Sequence, residues 1–307
     1  MSTQSTSVMT DTATRRNDQL WSSSLENQDI CDFCRLTGKS YHSNPEYRIL
    51  KCEACGLIWT NPLLHQVTSF TGEDTYRANE GVQKNRFRQQ LGKYLQRAGI
   101  SDPRKLRILE VGSGLGFFLD VCEERGIAAE GCDLAEHAVR NANRHRQRVR
   151  QGTLDGSYEG QNFDAVFAFN LIEHLPHPNL FLADCAKALK PGGTLILETP
   201  IQEGLFHRIA RAGDLFTGNK LNFYGMKPSG HIYKFSKKSF RRLAASGGWN
   251  IIHQENVSSP WGEIWGNSSA VDLEHKGLYR FALPVIFSLA NMTGQGNRVL
   301  VMLRKEK

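Results

Sequence analysis

The chain has 307 residues, of which 40% are hydrophobic, and its formal net charge is +7. This length suits one large domain with a small appended module. The positive charge does not by itself identify an acidic partner, because the basic residues are scattered and few aromatic residues lie among them.

The first 28 residues are rich in Ser, Thr, Asn, Gln and Asp and have no apolar periodicity. Such a segment buries too little apolar surface to offset its ordering entropy, so residues 1–28 are predicted to form a disordered tail. They contain no apolar run typical of a secretory signal, which predicts a cytoplasmic protein. The longest apolar run, Phe281–Ala290, contains Pro284 and has about half the length of a membrane span, so no span is expected.

Residues 29–64 are predicted to be a zinc-binding module. Two C-x2-C pairs, Cys31 with Cys34 and Cys52 with Cys55, are separated by 17 residues. This spacing lets two tight turns converge on one tetrahedral Zn²⁺, and four thiolates leave no position for a reactive water, so the ion is structural. The alternative of two disulfides is disfavoured by a reducing compartment.

Residues 65–103 are predicted to be a helical connector, with the helix running from about residue 75 to residue 99. Its apolar side chains recur at helical spacing, so one face is expected to pack on the main domain. These side chains are Phe87, Leu91, Tyr94 and Leu95.

Residues 104–307 alternate short apolar runs with helical stretches, which predicts a parallel sheet with helices on both faces. The apolar runs are LRILEV, AAEGCD, FDAVFAFN and TLILETP, followed near the end by NIIHQENV and NRVLVMLRK. Residues 201–235 are predicted to form a lid over the site. Residues 258–296 are predicted to be a C-terminal insertion that contains a helix around Leu278–Leu289.

The segment from Glu110 to Gly116, EVGSGLG, follows one predicted strand and opens the helix that begins near Phe117. Glycines permit the tight turn and a close approach of backbone amides to a ligand. A dinucleotide fingerprint would place its third glycine at position 117, so the spacing argues against NAD.

The pattern E-x-G-x-G-x-G resembles motif I of the class I S-adenosylmethionine-dependent methyltransferases. The resemblance covers about two thirds of the chain and implies a Rossmann-like, seven-stranded, mostly parallel sheet, here preceded by a small zinc ribbon-like module. It also implies that S-adenosylmethionine is the cofactor. The residues expected to bind it in the loop are Glu110, Gly112, Ser113, Gly114 and Gly116.

The resemblance implies cofactor contacts at three later positions, and the chain departs from the family pattern at the second. Asp133 ends the next predicted strand, where a carboxylate can accept two hydrogen bonds from a ribose diol; alternatively, it caps the following helix near Ala135. After the third strand the family often has an acidic residue near the adenine, whereas this chain offers Thr153 or Asp155, with the backbone amide of Leu154. Asn170 ends the fourth strand and is the last expected cofactor contact.

The sequence L-I-E-H after Asn170 resembles the turn that borders the methyl-transfer pocket in this family. It places His174 there, and the later segment H-I-Y-K-F-S contributes His231. Either imidazole is a candidate general base, since its ordinary pKa lies near neutrality. The alternative is structural: His174 braces its turn, and His231 bonds to backbone in the lid.

The resemblance implies methyl transfer, and a small-molecule acceptor such as a sugar or another metabolite is the favoured substrate. Similar zinc modules precede methyltransferase domains in sugar C-methyltransferase-like proteins and in certain ribosomal RNA guanine methyltransferases. RNA methylation is therefore the nearest alternative, with nucleic acid as the weaker partner. A non-catalytic binding module with the same fold is the alternative from another class.

Overall fold

The computed structural model describes residues 27–43, 47–63, 77, 79–100, 102–144, 148–216, 231–258 and 276–305. Nearly all of the predicted tail, the middle of the predicted lid and residues 259–275 of the predicted insertion therefore lie outside the described residues. Gln28, the last residue of the predicted tail, is bound to the N-terminal module, because its carbonyl oxygen accepts a hydrogen bond from Trp59 Nε1 at 2.8 Å.

The N-terminal module is a small antiparallel sheet built around the two cysteine pairs. Its strands are β1 (Lys39–Ser43), β2 (Arg48–Lys51) and β3 (Ile58–Asn61). Each cysteine pair forms a tight turn: the N–H of Arg35 bonds to the carbonyl of Cys31, and that of Gly56 bonds to the carbonyl of Cys52. Gly56 adopts a φ of +77°, which a residue without Cβ tolerates.

A strand from far along the chain completes this sheet. Strand β9 (Tyr233–Lys234) pairs antiparallel with β3, so that Trp59 faces Tyr233. The adjoining residue Ser236 donates its hydroxyl to the carbonyl of Cys55 at 2.6 Å. The last residues of the predicted lid are therefore part of the sheet of the N-terminal module.

Helix α1 (Glu80–Arg97) is the predicted connector. It begins about five residues later than the sequence pattern indicates, and its four predicted apolar residues are all buried. Phe87 stacks edge-on against Phe118, with the ring centroids 5.3 Å apart. The helix therefore packs on the main domain, as predicted.

The main sheet has seven strands in the order β10-β11-β8-β7-β4-β5-β6. The pairings among β8, β7, β4, β5 and β6 are parallel, whereas β11 pairs antiparallel with both β8 and β10. The mostly parallel seven-stranded sheet is confirmed. Its strands are β4 (Arg107–Val111), β5 (Ala128–Asp133), β6 (Val149–Gln151), β7 (Phe163–Phe169), β8 (Leu189–Pro200), β10 (Trp249–Val257) and β11 (Arg298–Lys305).

Most helices of the main domain fall on the stretches predicted to be helical, whereas the helix at residues 205–216 lies in the predicted lid, where no helix was expected. The helices are α2 (Phe117–Glu124), α3 (Glu136–Ala142), α4 (Pro178–Ala188), α5 (Leu205–Phe216), α6 (Lys237–Ser246) and α7 (Lys276–Met292). Helix α7 is longer at both ends than the predicted helix and includes Pro284. Among the described residues, no helix has the length and apolar character needed to cross a bilayer.

The strand order places the candidate site. From β4 the chain goes to β5 and β6 on one side of the sheet, and then to β7 and β8 on the other. Ligands of open α/β sheets bind in the crevice outside the carboxyl ends of the strands, at such a reversal. The loops that follow β4, β5 and β7 therefore border one crevice.

Candidate functional site

The glycine loop follows β4 in a conformation that requires its glycines. Gly112, Gly114 and Gly116 have φ values of +72°, +51° and +82°, in the left-handed region that side chains disfavour. The N–H groups of Gly112 and Ser113 both bond to the carbonyl of Cys132 at the end of β5, at 2.8 and 3.1 Å. The loop is thus held against the neighbouring strand.

Gly116 also lacks space for a side chain, because an added Cβ would lie 2.9 Å from Cβ of Ala142. We expect Gly116→Ala to destabilise the fold by about 2 kcal/mol, through left-handed strain and overpacking. Urea denaturation measures the change. Gly92→Ala is the control: no atom lies within 4 Å of the added methyl group, so a gain of about 0.5–1 kcal/mol is expected. Equal effects of the two substitutions would contradict the assigned loop geometry.

Asp133, at the end of β5, accepts two backbone hydrogen bonds. Its Oδ2 atom accepts from the N–H of Gly114 at 2.8 Å, and its Oδ1 atom accepts from the N–H of Ala135 at 2.9 Å. Ala135, not Asp133, is the N-cap residue of helix α3. A carboxylate has about four acceptor positions, so Asp133 can hold the loop and still accept bonds from a diol.

Two polar atoms of the same loop have no hydrogen-bond partner among the described residues. They are Oε2 of Glu110 and Oγ of Ser113, and both side chains are buried. Burial, together with the nearby Asp133, raises the pKa of Glu110 well above its ordinary value. Buried polar atoms are rarely left unsatisfied in folded proteins, so these two atoms fit a site that a polar ligand completes.

The segment after β6 is largely buried. Thr153 and Leu154 are buried, and the Leu154 side chain belongs to the main core. Asp155 accepts a hydrogen bond from the N–H of Ser157 at 2.8 Å and caps a short turn. The adenine contacts therefore stay predictions.

Asn170, after β7, is held in an unusual conformation. Its φ is +49°, and its N–H bonds to the carbonyl of Glu198 at 2.7 Å. Its Oδ1 atom accepts a hydrogen bond from Arg298. The next residue, Leu171, would approach a Cβ at Gly112 to within 3.1 Å, so the turn after β7 lies directly against the glycine loop.

Asn170 is connected through Arg298 to a buried charged cluster. Glu198 on β8 is 1% exposed and contacts Arg86 of helix α1 and, at 3.2 Å, Arg298 of β11. The hydroxyl of Tyr94 donates to the same carboxylate at 3.0 Å. Sequence reasoning missed this cluster, because its members come from elements far apart in the chain and form no motif.

The structure brings together the two predicted histidines. The rings of His174 and His231 lie edge to face, with centroids 4.7 Å apart. The hydrogen bond from the N–H of Ile232 to the carbonyl of Glu173, at 2.9 Å, brings the two segments together. Burial and the neighbouring His174 lower the pKa of His231 to about 3.

Glu173 is the third member of this group and was not predicted as a site residue. It is 1% exposed, and its Oε1 atom lies 4.0 Å from Nε2 of His174. The E-H pair in the sequence was the available signal, but it did not reveal that the carboxylate faces both imidazoles.

The four cysteines of the N-terminal module form one cluster, in which all four sulfur atoms lie within 4.8 Å of one another. The Sγ atoms of Cys31 and Cys55 are 3.7 Å apart, and thiolates in a tetrahedron around Zn²⁺ are separated by about 3.8 Å. A hydrogen bond from Cys55 lowers the pKa of Cys31 to about 6. All seven cysteines of the chain are free in this structure.

Comparisons with known proteins agree with this arrangement. A family model described as a methyltransferase domain matches residues 82–254. The ubiquinone biosynthesis O-methyltransferase of Xanthomonas axonopodis pv. citri is 32% identical over 178 residues, which are 54% of this chain and 70% of that protein. The enzyme of the same name from Idiomarina loihiensis is 34% identical over 102 residues, 30% of this chain. The chain spans 42% of the Idiomarina loihiensis protein and 44% of a relative from Maricaulis maris.

Among solved structures, the chain is similar to one from the complex of the Haloferax volcanii Trm112 methyltransferase activator with a methyltransferase. That match has a TM-score of 0.51 at 14% identity and covers 78% of this chain and 98% of the other. At this identity the match supports the fold alone.

Proposed function

Because the chain belongs to the S-adenosylmethionine-dependent methyltransferases, we propose that it methylates a small-molecule acceptor in the crevice at the carboxyl ends of β4, β5 and β7. One observation carries the proposal. The glycine loop, Asp133 and the Glu173-His174 turn meet at the reversal of strand order, and Leu171 packs against Gly112. The donor and acceptor sites then adjoin.

S-adenosylmethionine fits the groups that the structure leaves unsatisfied. The carboxylate of Asp133 has free acceptor positions for the ribose hydroxyls, and the backbone of Gly112, Ser113, Gly114 and Gly116 allows close approach of the donor. The partnerless atoms of Glu110 and Ser113 are available for polar contacts with the methionine part. Thr153, Leu154 and Asn170 complete the proposed cofactor contacts.

The acceptor side follows from the chemistry of the donor. The sulfonium of S-adenosylmethionine is already electrophilic, so the protein mainly has to align an acceptor atom with the methyl group. When the acceptor is a hydroxyl, it must also lose a proton. The group formed by Glu173, His174 and His231 is placed to handle that proton, since it directly follows β7. The two histidines are the proposed catalytic residues.

A small molecule is the proposed acceptor class. The relatives named ubiquinone biosynthesis O-methyltransferase share up to 34% of their aligned residues with this chain, and their name places the methyl group on an oxygen atom of a small molecule. The basic side chains Lys238, Arg241 and Arg242 of helix α6 point into solvent, and no feature of the crevice, as far as the described residues form it, favours RNA.

We further propose that Cys31, Cys34, Cys52 and Cys55 hold a structural Zn²⁺. The sulfur separations fit a tetrahedral ion, and a site with four thiolates has no open position for an acceptor. In this proposal the ion stabilises the fold of the module. The sheet of the module includes β9, so its stability also affects the position of His231, two residues before that strand.

Calorimetric titration with S-adenosylmethionine and S-adenosylhomocysteine tests the donor site. We expect wild-type protein to bind both, and Asp133→Ala to bind about 100-fold more weakly, since hydrogen bonds to a charged carboxylate are lost and the loop is released. Asp164→Ala is the matched control, because it removes a carboxylate near the amino end of β7, at the opposite end of the strands from the crevice. Asp164 is paired there with Lys190. If folded wild-type protein bound neither S-adenosylmethionine nor S-adenosylhomocysteine, the proposal would be wrong. RNA that co-purifies and dissociates with added salt would favour the nucleic-acid alternative.

A further inference from the structure

The group of Glu173, His174 and His231 has the composition of a metal site. Each side chain offers one ligand atom, and the three atoms lie within 4.8 Å of one another. Glu173 is deeply buried, whereas both histidines are half-buried. The arrangement therefore has a buried carboxylate beside two half-buried imidazoles.

The carboxylate of Glu173 is only half satisfied. Its Oε2 atom accepts a hydrogen bond from Oγ1 of Thr199 at 2.7 Å, but its Oε1 atom has no hydrogen-bond partner among the described residues. This free oxygen is the one that lies 4.0 Å from Nε2 of His174. A buried carboxylate oxygen without a partner is costly, and a cation bound between Glu173 and the imidazoles would remove that cost.

One of the two cations nearest the site is paired with a buried carboxylate. Arg298 and Lys234 act on His231 from the surrounding elements. Arg298 is itself paired with the buried Glu198, at 3.2 Å.

We propose that Glu173, His174 and His231 bind a divalent first-row transition-metal cation that contacts the acceptor. This inference rests on the proposed function and specifies how the same site handles the acceptor's proton. Two histidines and one carboxylate leave adjacent coordination positions open, which accept an acceptor hydroxyl and a neighbouring oxygen. A cation there lowers the pKa of a bound hydroxyl, so the hydroxyl can release its proton to solvent water while the imidazoles serve as ligands. The resulting oxyanion forms a bond to the methyl carbon as the sulfur–methyl bond breaks, and that electron pair leaves on the sulfur of S-adenosylhomocysteine.

The distances require a modest closure of the site. Metal bonds to histidine nitrogen and carboxylate oxygen are about 2.0–2.2 Å long, so neighbouring ligand atoms come to about 3 Å from each other. The gap of 4.0 Å between Glu173 and His174 must then shrink by about 1 Å, which rotation of half-buried imidazoles provides.

Titration with Mn²⁺ near neutral pH, followed by electron paramagnetic resonance, tests the site in protein that already holds one Zn²⁺ per chain. Mn²⁺ is the weakest competitor for thiolates in its series, so it leaves the cysteine cluster unchanged. We expect one Mn²⁺ per wild-type chain, with hyperfine coupling to histidine nitrogen, and at least tenfold weaker binding for Glu173→Gln and His231→Gln.

His253→Gln is the matched control, because His253 forms a second histidine–glutamate contact away from the crevice, 3.5 Å from Glu255 on β10. The Mn²⁺ affinity of this variant should equal that of wild type. Circular dichroism confirms that each variant is folded. No Mn²⁺ binding by wild type up to about 1 mM, or equal binding by Glu173→Gln, overturns the metal site. Titration of wild type with S-adenosylmethionine is an independent readout, so failure of the donor site and failure of the metal site remain distinguishable.

Discussion

Cys52→Ser is expected to unfold the N-terminal module and to free strand β9 from it. Metal-bound thiolates contribute folding free energy directly, and structural zinc in small modules is worth on the order of 10 kcal/mol. Besides its cysteines, the described part of the module buries only a small set of apolar side chains: Phe33, Ile49, Leu50, Leu57, Ile58, Trp59 and Leu63. Without the ion, its sheet cannot be held together by packing alone.

Hydrogen exchange and zinc analysis measure this effect. Wild-type protein should contain one zinc per chain and protect the amides of β3 and β9, whereas Cys52→Ser should lose both the zinc and this protection. Cys122→Ala is the control: it removes a buried cysteine of helix α2 that lies outside the cluster and should leave the zinc content unchanged. Retention of protection in β9 by zinc-free Cys52→Ser would show that the ion does not hold this sheet together.

Arg86→Met is expected to lower the free energy of unfolding by about 3 kcal/mol. The substitution keeps an unbranched apolar side chain but removes one of the two cations that face the buried carboxylate of Glu198. Arg298 and Tyr94 remain, so the loss lies at the low end of the cost of breaking a buried ion pair. A domain of this size would lose about 10 °C in Tm.

Arg88→Met provides the comparison within the same helix. Arg88 forms two hydrogen bonds of 2.7 Å with Glu124 on helix α2, but both side chains are exposed. Exposed ion pairs contribute little to stability because water and salt screen them. The Tm of this variant should therefore equal that of wild type. Thermal denaturation followed by circular dichroism gives both values. Equal melting of the two variants would mean that burial of Glu198 does not govern the strength of its ion pairs.

The main domain was largely predictable, because its signals are local. Alternating apolar runs and helical stretches predict the strands and helices of this domain. The spacing of Gly112, Gly114 and Gly116 predicts the turn after β4. The β5 strand was predicted at its observed limits, Ala128–Asp133. In each case a few neighbouring residues carry both the pattern and the structure.

The parts that sequence reasoning missed depend on contacts between distant residues. Glu198 and Arg86 are 112 residues apart, and neither has a recognisable motif. Glu173 was visible within its E-H pair, but its approach to His231 depends on a backbone bond with Ile232. The β9 strand has only two residues, too few to show an alternating pattern. These features arise from tertiary packing, which a single sequence does not display.

The pairing of β3 with β9 also limits the order in which parts of the chain can fold during synthesis. The bond from Ser236 to Cys55 joins residues 181 positions apart, so the cysteine-bearing segment leaves the ribosome long before the last strand of its sheet is made. Until then β3 presents an open edge, a template for pairing with other chains. A fragment that ends before residue 232 keeps that edge open, so we expect that the N-terminal module and the main domain cannot be divided at the connector into two independently folded pieces.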